Sequence, residues 1–141
     1  MLSVIIPAYN EEKTIEAIID KVNNLPIEKE IIVVNDCSKD RTAEILRPLS
    51  FNNLKVIHYA SKRGKGAAMR TGIENSAGEY ILIQDTSVEY GLNDYPKLLE
   101  AIRNLDVDIV LGARFTKMGF GSILLSLIFG VKLNDWFSRC Q

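Results

Sequence analysis

The sequence predicts an α/β domain whose mainly parallel sheet carries helices on both faces. Three observations lead there. Short runs rich in Val and Ile alternate along the chain with stretches of helical period. The first two of those runs, 2–7 and 30–34, are apolar at successive positions, not at every second one, which marks strands covered on both faces. Each run also stops at a cluster of Asn, Asp, Ser, Gly or Pro, the residues of turns.

Residues 2–7 form the first strand. Asn10 can cap the helix that follows, with Glu11 and Glu12 in its first turn. Ile15, Ile18, Ile19, Val22 and Leu25 recur at helical spacing, and Pro26 ends the helix. Residues 30–34 are a second buried strand, 35–40 a turn, and 41–47 a short helix stopped by Pro48. A third strand over 54–59 leads into a basic, glycine-containing loop at 62–65 and an Ala-rich helix over 66–75. Residues 80–84 make a fourth strand ending at Asp85. A helix over 93–104 has Tyr95, Leu98, Leu99 and Ile102 on one face, and a fifth strand spans 108–112.

The chain of 141 residues suffices for one domain with a core. Its 47% hydrophobic and 25% charged residues are those of a folded domain and argue against disorder. A net charge of -1 gives no general attraction to nucleic acid, so no nucleic-acid partner is expected. Cys37 and Cys140 set no metal-ligand pattern and read as free thiols in a reducing compartment. The N-terminus lacks the features of a signal peptide. The longest apolar stretch, 119–131, has 13 residues, fewer than the roughly 17–25 of a membrane helix. The expected location is cytoplasmic, with peripheral contact at the cytoplasmic face of a membrane as an option: residues 119–133 fit either a surface-lying segment or a core helix.

In parallel sheets ligands gather beyond the carboxyl ends of the strands. Segments 7–11, 35–40, 61–65, 85–90 and 112–115 all follow strands and can converge on one rim. No G-x-G-x-x-G follows the first strand and no P-loop occurs, so two common nucleotide sites are absent. The rim instead supplies the carboxylates Asp36 and Asp85 and the cations Arg63, Lys65 and Arg114. Carboxylates hold a hard divalent ion or a ribose, and cations neutralise phosphate oxygens. The set suits a nucleoside diphosphate with a metal.

The local sequences are more specific. Ser3-Val-Ile-Ile-Pro-Ala-Tyr-Asn-Glu-Glu12 resembles the opening strand and loop of family 2 glycosyltransferases. Ile31-Ile-Val-Val-Asn-Asp-Cys-Ser-Lys-Asp-Arg-Thr42 resembles their V-V-D-D-G-S-x-D-x-T segment, and Arg63-Gly-Lys-Gly-Ala-Ala-Met-Arg-Thr-Gly72 their R-G-K-G-A-A-x-R-x-G. Ile83-Gln-Asp-Thr-Ser-Val-Glu-Tyr90 stands where the family has I-Q-D-A-D-L-E-Y, with its metal-binding D-x-D. Gly112-Ala-Arg-Phe115 is similar to G-S-R-F, and Val131-Lys-Leu-Asn-Asp135 to a later acceptor-side motif. Within the family the likeness is strongest to the dolichyl- or polyprenyl-phosphate sugar transferases. It implies the GT-A fold, a Rossmann-like nucleotide-diphospho-sugar transferase sandwich. It further implies one such domain over 1–141, cut short at its C-terminal acceptor side.

The resemblance also implies roles. Pro7, Ala8, Tyr9 and Glu11 would contact nucleobase and ribose, although a turn with a helix cap explains them too. Asp36 matches one of two acids that hold the nucleoside, and Asn35 stands in place of the other; an Asx-turn would account for both. Lys65 would face the nucleotide and Arg114 the phosphates, against readings as a solvated loop and a surface ion pair. Mg²⁺ or Mn²⁺ would bridge the diphosphate through Asp85, Ser87 and Glu89. Ser87 replaces an aspartate, and we expect metal affinity to fall by about 10–100-fold for it. Asp135 matches the acid near the acceptor, or is a tail residue. The implied catalytic residues are therefore Asp135 and Arg114.

The implied activity is transfer of a sugar from a GDP- or UDP-linked nucleotide sugar to a polyprenyl (dolichyl) phosphate or glycan acceptor. The alternative is an impaired GT-A remnant that binds nucleotide weakly, motivated by Asn35, Ser87 and the early end. A nucleotidyltransferase or other Rossmann-like binder fits the fold class but lacks the glycine-rich signature.

Overall fold

β1 (Leu2–Ala8) is apolar at nearly every position and entirely buried. Both of its edges are occupied: it pairs in parallel with β2 (Lys29–Asn35) on one side and with β4 (Tyr80–Ile83) on the other. β3 (Leu54–His58) pairs in parallel with β2, giving the order β3-β2-β1-β4. The computed structural model describes residues 1–86, 95–104 and 109–110, with the backbone of 112–113 and 125–126.

Alternate side chains of β1 serve opposite faces, as the strand period requires. Leu2, Val4, Ile6 and Ala8 join Ile31, Val33 and Leu82 on one face. There they meet α1 (Ile15–Asn23) through Ile15, Ile18, Ile19 and Val22, α2 (Thr42–Leu46) through Leu46, and α4 (Tyr95–Asn104) through Tyr95 and Ile102. On the other face, α3 (Lys65–Glu74) sets Met69 and Ile73 against Ile5, Ile81 and Ile83, and Ala68 against Ile32 and Val34. α3 comes close because Gly72 has no side chain; a Cβ there would fall 2.3 Å from Ile5 Cγ2. The result is the expected α/β sandwich.

Register puts the ligand rim in place. Ala8 lies beside Asn35, Asn35 beside His58, and Ile5 beside Ile83. The strand order is extended by the Asp36 N–H bonded to Ala8 O at 2.9 Å and the Gln84 N–H bonded to Ile5 O at 2.9 Å. All four carboxyl ends therefore open on one side. At the opposite rim Glu30 ties the α3–β4 turn down: its Oε1 accepts the Ala77 and Gly78 N–H groups at 2.6 and 3.1 Å and the Ser3 hydroxyl. Gly78 also donates to Ser3 Oγ at 2.8 Å, and a Cβ on Gly78 would fall 2.4 Å from that oxygen.

Two expectations are revised. α1 begins at Ile15, with Thr14 at its N-cap position and no side-chain cap bond. Asn10 does not cap it; Asn10 has φ 56° and its Oδ1 accepts the Lys39 N–H at 2.8 Å. Glu11 and Glu12 precede the helix because their own N–H groups bond to Thr42 Oγ1 and Asp40 Oδ2 in the next loop. Glu11 O accepts the Thr14 and Ile15 N–H groups at 3.0 and 2.9 Å, so residues 12–14 form a turn that leads into α1. The fifth strand expected at 108–112 does not extend the parallel sheet among the described residues. Ile109 and Val110 are outside any strand, and β5 (Gly112–Ala113) pairs antiparallel with β6 (Leu125–Ser126). Of the apolar segment 119–133 only β6 is described, and it is extended where a core helix was one expectation.

Candidate functional site

A cleft of about 290 Å³ lies at the carboxyl ends of the strands. The end of β1 and its loop supply Pro7, Ala8, Tyr9 and Glu11, and the loop after β2 supplies Asp36. The basic loop and the first turns of α3 add Lys62, Lys65 and Ala68, and the end of β4 adds Asp85 and Thr86. Of the sequence-predicted residues, the structure gathers Pro7, Ala8, Tyr9, Glu11, Asp36, Lys65 and Asp85 around this one cavity. Arg114, Asp135, Ser87 and Glu89 lie outside the described residues.

Asn35 is close by but committed elsewhere. It is buried; its Oδ1 accepts the Ser38 N–H and hydroxyl, and its Nδ2 lies 3.1 Å from His58 Nδ1. It shapes the turn that carries Asp36 and does not line the cleft. Cys37, next in that turn, has φ 56°.

Asp36 holds the basic loop. Its Oδ1 accepts the Arg63 N–H at 2.6 Å and its Oδ2 the Gly64 N–H at 2.8 Å. A carboxylate offers about four lone-pair sites, so acceptor capacity remains toward the cleft. Gly64, at φ 92°, then starts α3, whose first turn opens on the same cavity through Lys65 and Ala68. Free N–H groups and the helix dipole favour negative charge at such an end.

Three cations of this loop take different partners. Lys65 Nζ bonds Asp85 Oδ2 across the cleft at 2.8 Å. Lys62 Nζ sits 3.5 Å from the centroid of the Tyr9 ring. Arg63 turns away, its guanidinium carbon 4.8 Å from the Tyr59 ring centroid, and is not part of the lining.

Asp85 is oriented from behind. The buried Tyr95 hydroxyl donates to Gln84 Oε1, Gln84 Nε2 donates to Asp85 O at 2.7 Å, and the Thr86 N–H donates to Asp85 Oδ1 at 3.0 Å. Burial pushes the Tyr95 hydroxyl well above its ordinary pKa, so it stays a donor throughout the physiological range. Asp85 itself is about half exposed, at 46%. Among the described residues no three His, Cys, Asp or Glu side chains gather as a metal cage. A carboxylate such as Asp85 in the cleft lining does suit Mg²⁺-like ions, which are commonly held by one or two carboxylates plus substrate phosphates.

Sequence reasoning missed Lys62, Ala68 and Thr86 as lining residues. Lys62 lies three positions before Lys65 in the basic loop, and Ala68 one turn after it, a spacing that could have marked both. Thr86 follows Asp85 directly. Glu11 is fixed by Thr14, whose hydroxyl donates to Glu11 Oε2 at 2.6 Å.

Comparison with known proteins fits this geometry. The chain is 36% identical over 121 residues to the dolichol-phosphate mannosyltransferase of Pyrococcus furiosus, spanning 84% of this chain and 34% of that one. It is 35% identical over 118 residues to the dolichyl-phosphate beta-glucosyltransferase of Homo sapiens, covering 74% of this chain and 36% of the relative. The chain thus spans about a third of the length of these curated relatives. The mannosyltransferase PcManGT from Pyrobaculum calidifontis, solved with GDP-Man and Mn²⁺, superposes with a TM-score of 0.62 at 28% identity. That match covers 79% of this chain and 34% of PcManGT, and the shared architecture is the GT-A fold. No described helix is long and apolar enough to cross a membrane. Residues 3–123 match the model of glycosyl transferase family 2, and the chain belongs to that family.

Proposed function

We propose that this chain forms the donor half of a glycosyltransferase that moves a sugar from a GDP- or UDP-linked donor to a polyprenyl phosphate. A glycan hydroxyl is the second acceptor class. The carrying observation is the convergence of Tyr9, Asp36, Lys65 and Asp85, from four separate loops, on one cleft. An aromatic ring gives a base a face to stack on. Asp36, fixed by two backbone N–H groups, presents a rigid acceptor for an N–H of the base or a ribose hydroxyl. Lys65 and the start of α3 favour the diphosphate. The relatives named above support polyprenyl phosphate as the acceptor and leave mannose and glucose both open.

A divalent ion, Mg²⁺ or Mn²⁺, would be held by Asp85 and the diphosphate, with Ser87 and Glu89 as further ligands; it would stabilise negative charge on the leaving nucleoside diphosphate. In the transfer an acceptor phosphate oxygen forms the new bond to the anomeric carbon as that carbon's bond to the nucleoside diphosphate breaks. An acceptor phosphate is already anionic, so a strong protein base is not required. Arg114 and Asp135 keep the phosphate-side and acceptor-side roles that their motifs imply. We place the working protein in the cytoplasm, against the membrane face where a lipid phosphate would present its headgroup.

The test is calorimetric titration of the chain with UDP and GDP, with and without Mn²⁺. Binding of at least one nucleotide, tightened by metal, is expected. Binding of neither nucleotide under any condition would remove the proposal. If Ser87→Asp with Asn35→Asp is needed before metal tightens binding, the impaired reading holds for this chain.

A further inference from the structure

Lys62 lines the cleft without a role in holding base, ribose or metal, yet its position is specific. Its Nζ stands 3.5 Å from the centroid of the Tyr9 ring, and both side chains line the cleft. That is the place where the plane of a nucleobase stacked on Tyr9 would lie. The ammonium and the base cannot both occupy it. Among the described residues Lys62 forms no ion pair, so the ring is what holds it.

The strengths of the competing contacts decide the order of events. A cation over an aromatic face at an exposed site is worth about two- to fivefold in an equilibrium. A base stacked on an aromatic side chain is worth roughly five- to a hundredfold. An arriving base therefore displaces Lys62. The backbone after Lys62 stays put, because the N–H groups of Arg63 and Gly64 are held on the Asp36 carboxylate. Only the side chain has to swing, and it swings within the cleft that Lys65 and the start of α3 also line.

On the donor-site reading above, we infer that Lys62 is a placeholder for the nucleobase. It keeps the Tyr9 ring presented to the cleft in the ligand-free chain, yields that face to the base, and transfers its charge to the phosphates. Lys62 thereby couples recognition of the base to retention of the diphosphate. A nucleoside alone has to evict the cation and gains nothing from it; a nucleoside diphosphate evicts it and then uses it.

The two ligands should respond oppositely to removal of the charge. In Lys62→Met, which keeps a flexible apolar stem, uridine or guanosine affinity should rise about two- to fivefold. Affinity for UDP or GDP should fall about three- to thirtyfold, since a charge-assisted contact is lost. Lys62→Arg should keep the preference for diphosphate. A second measurement follows the side chain itself by NMR of the chain with ¹³C-dimethylated lysines, which retain their charge. The Lys62 methyl signal should be shifted upfield by the Tyr9 ring and should lose that shift when UDP saturates the site. Parallel losses for nucleoside and diphosphate, no change in either, or an upfield signal that persists in saturating UDP would each overturn the inference while leaving the donor site standing. Failure of the unaltered chain to bind any nucleotide would instead remove the donor site, and this inference with it.

Discussion

Cys37 has a left-handed backbone, φ 56°, in the turn between Asp36 and Ser38. Its Cβ makes that conformation costly, by about 1–2 kcal/mol for an L-residue with a side chain. Asn10, at φ 56° in the facing loop, recovers part of the same cost through its side-chain bond to Lys39. Among the described residues the Cys37 thiol makes a long contact, Sγ to Ala60 O at 3.7 Å. The motif that this segment resembles carries glycine at the position. Cys37→Gly should therefore raise stability by about 1 kcal/mol, read as a higher urea midpoint at an unchanged slope. An unchanged or lower midpoint would show that the thiol contributes more than its geometry indicates.

At the scale of elements, α3 matters most, because its first turn carries Lys65 and its body lies on β1 and β2. Gly72 sets that contact. In Gly72→Ala the new methyl would fall 2.3 Å from Ile5 Cγ2, so the helix must move or the strand must yield. The expected cost is about 1–3 kcal/mol in stability. Displacing α3 also draws Lys65 from Asp85, so UDP or GDP affinity should fall alongside the melting temperature. Loss of stability with full nucleotide affinity would mean that the sheet absorbs the strain and α3 keeps its place. The strands were the most legible elements. Residues 2–7, 30–34, 54–59 and 80–84 come within a residue or two of β1 to β4. β1, β4 and most of β2 are buried on both faces and write that burial into unbroken apolar runs; β3, at the sheet edge with Lys55 and His58 exposed, is marked by Leu54, Val56 and Ile57 instead. The start of α1 was not legible. Asn10, Glu11 and Glu12 have every local mark of a helix entrance, but their backbone N–H groups, and the Asn10 side chain, bond to Ser38, Thr42, Asp40 and Lys39, about 30 residues away.

For the whole molecule the same lacing of two loops predicts a response to acid. Burial alone would raise the Asp40 pKa. The Thr42 hydroxyl, the Thr42 N–H and the Glu12 N–H, all donating to its carboxylate, outweigh that and hold it below the ordinary value. A group with a depressed folded-state pKa stabilises the fold above its unfolded value, about 3.9, and loses that contribution as pH falls through the folded one. Asp40→Asn should thus be less stable than the parent chain near neutral pH, with the gap closing below about pH 4. Thermal melts across that range check it; a gap constant with pH would assign the loss to packing. The cleft was legible in much of its lining but not in its partnerships. Motif order marked Tyr9, Asp36, Lys65 and Asp85, while nothing local shows that Lys65 spans to Asp85, that Lys62 rests on Tyr9, or that Asn35 spends its side chain on Ser38.

The bond between Lys65 and Asp85 has one further consequence, for ionic strength. A cleft whose ammonium groups stood free would gain a new ion pair for every phosphate oxygen it captured, and added salt would weaken it steeply. Here Lys65 already holds an anion at 2.8 Å. Phosphate entry exchanges one counter-charge for another, and the carboxylate it releases becomes available to a divalent ion. On the proposed reading, the share of nucleotide capture that Lys65 supplies should be muted in its sensitivity to monovalent salt, leaving Lys62 as the salt-sensitive cation, and the arrival of the divalent ion should follow that of the nucleotide.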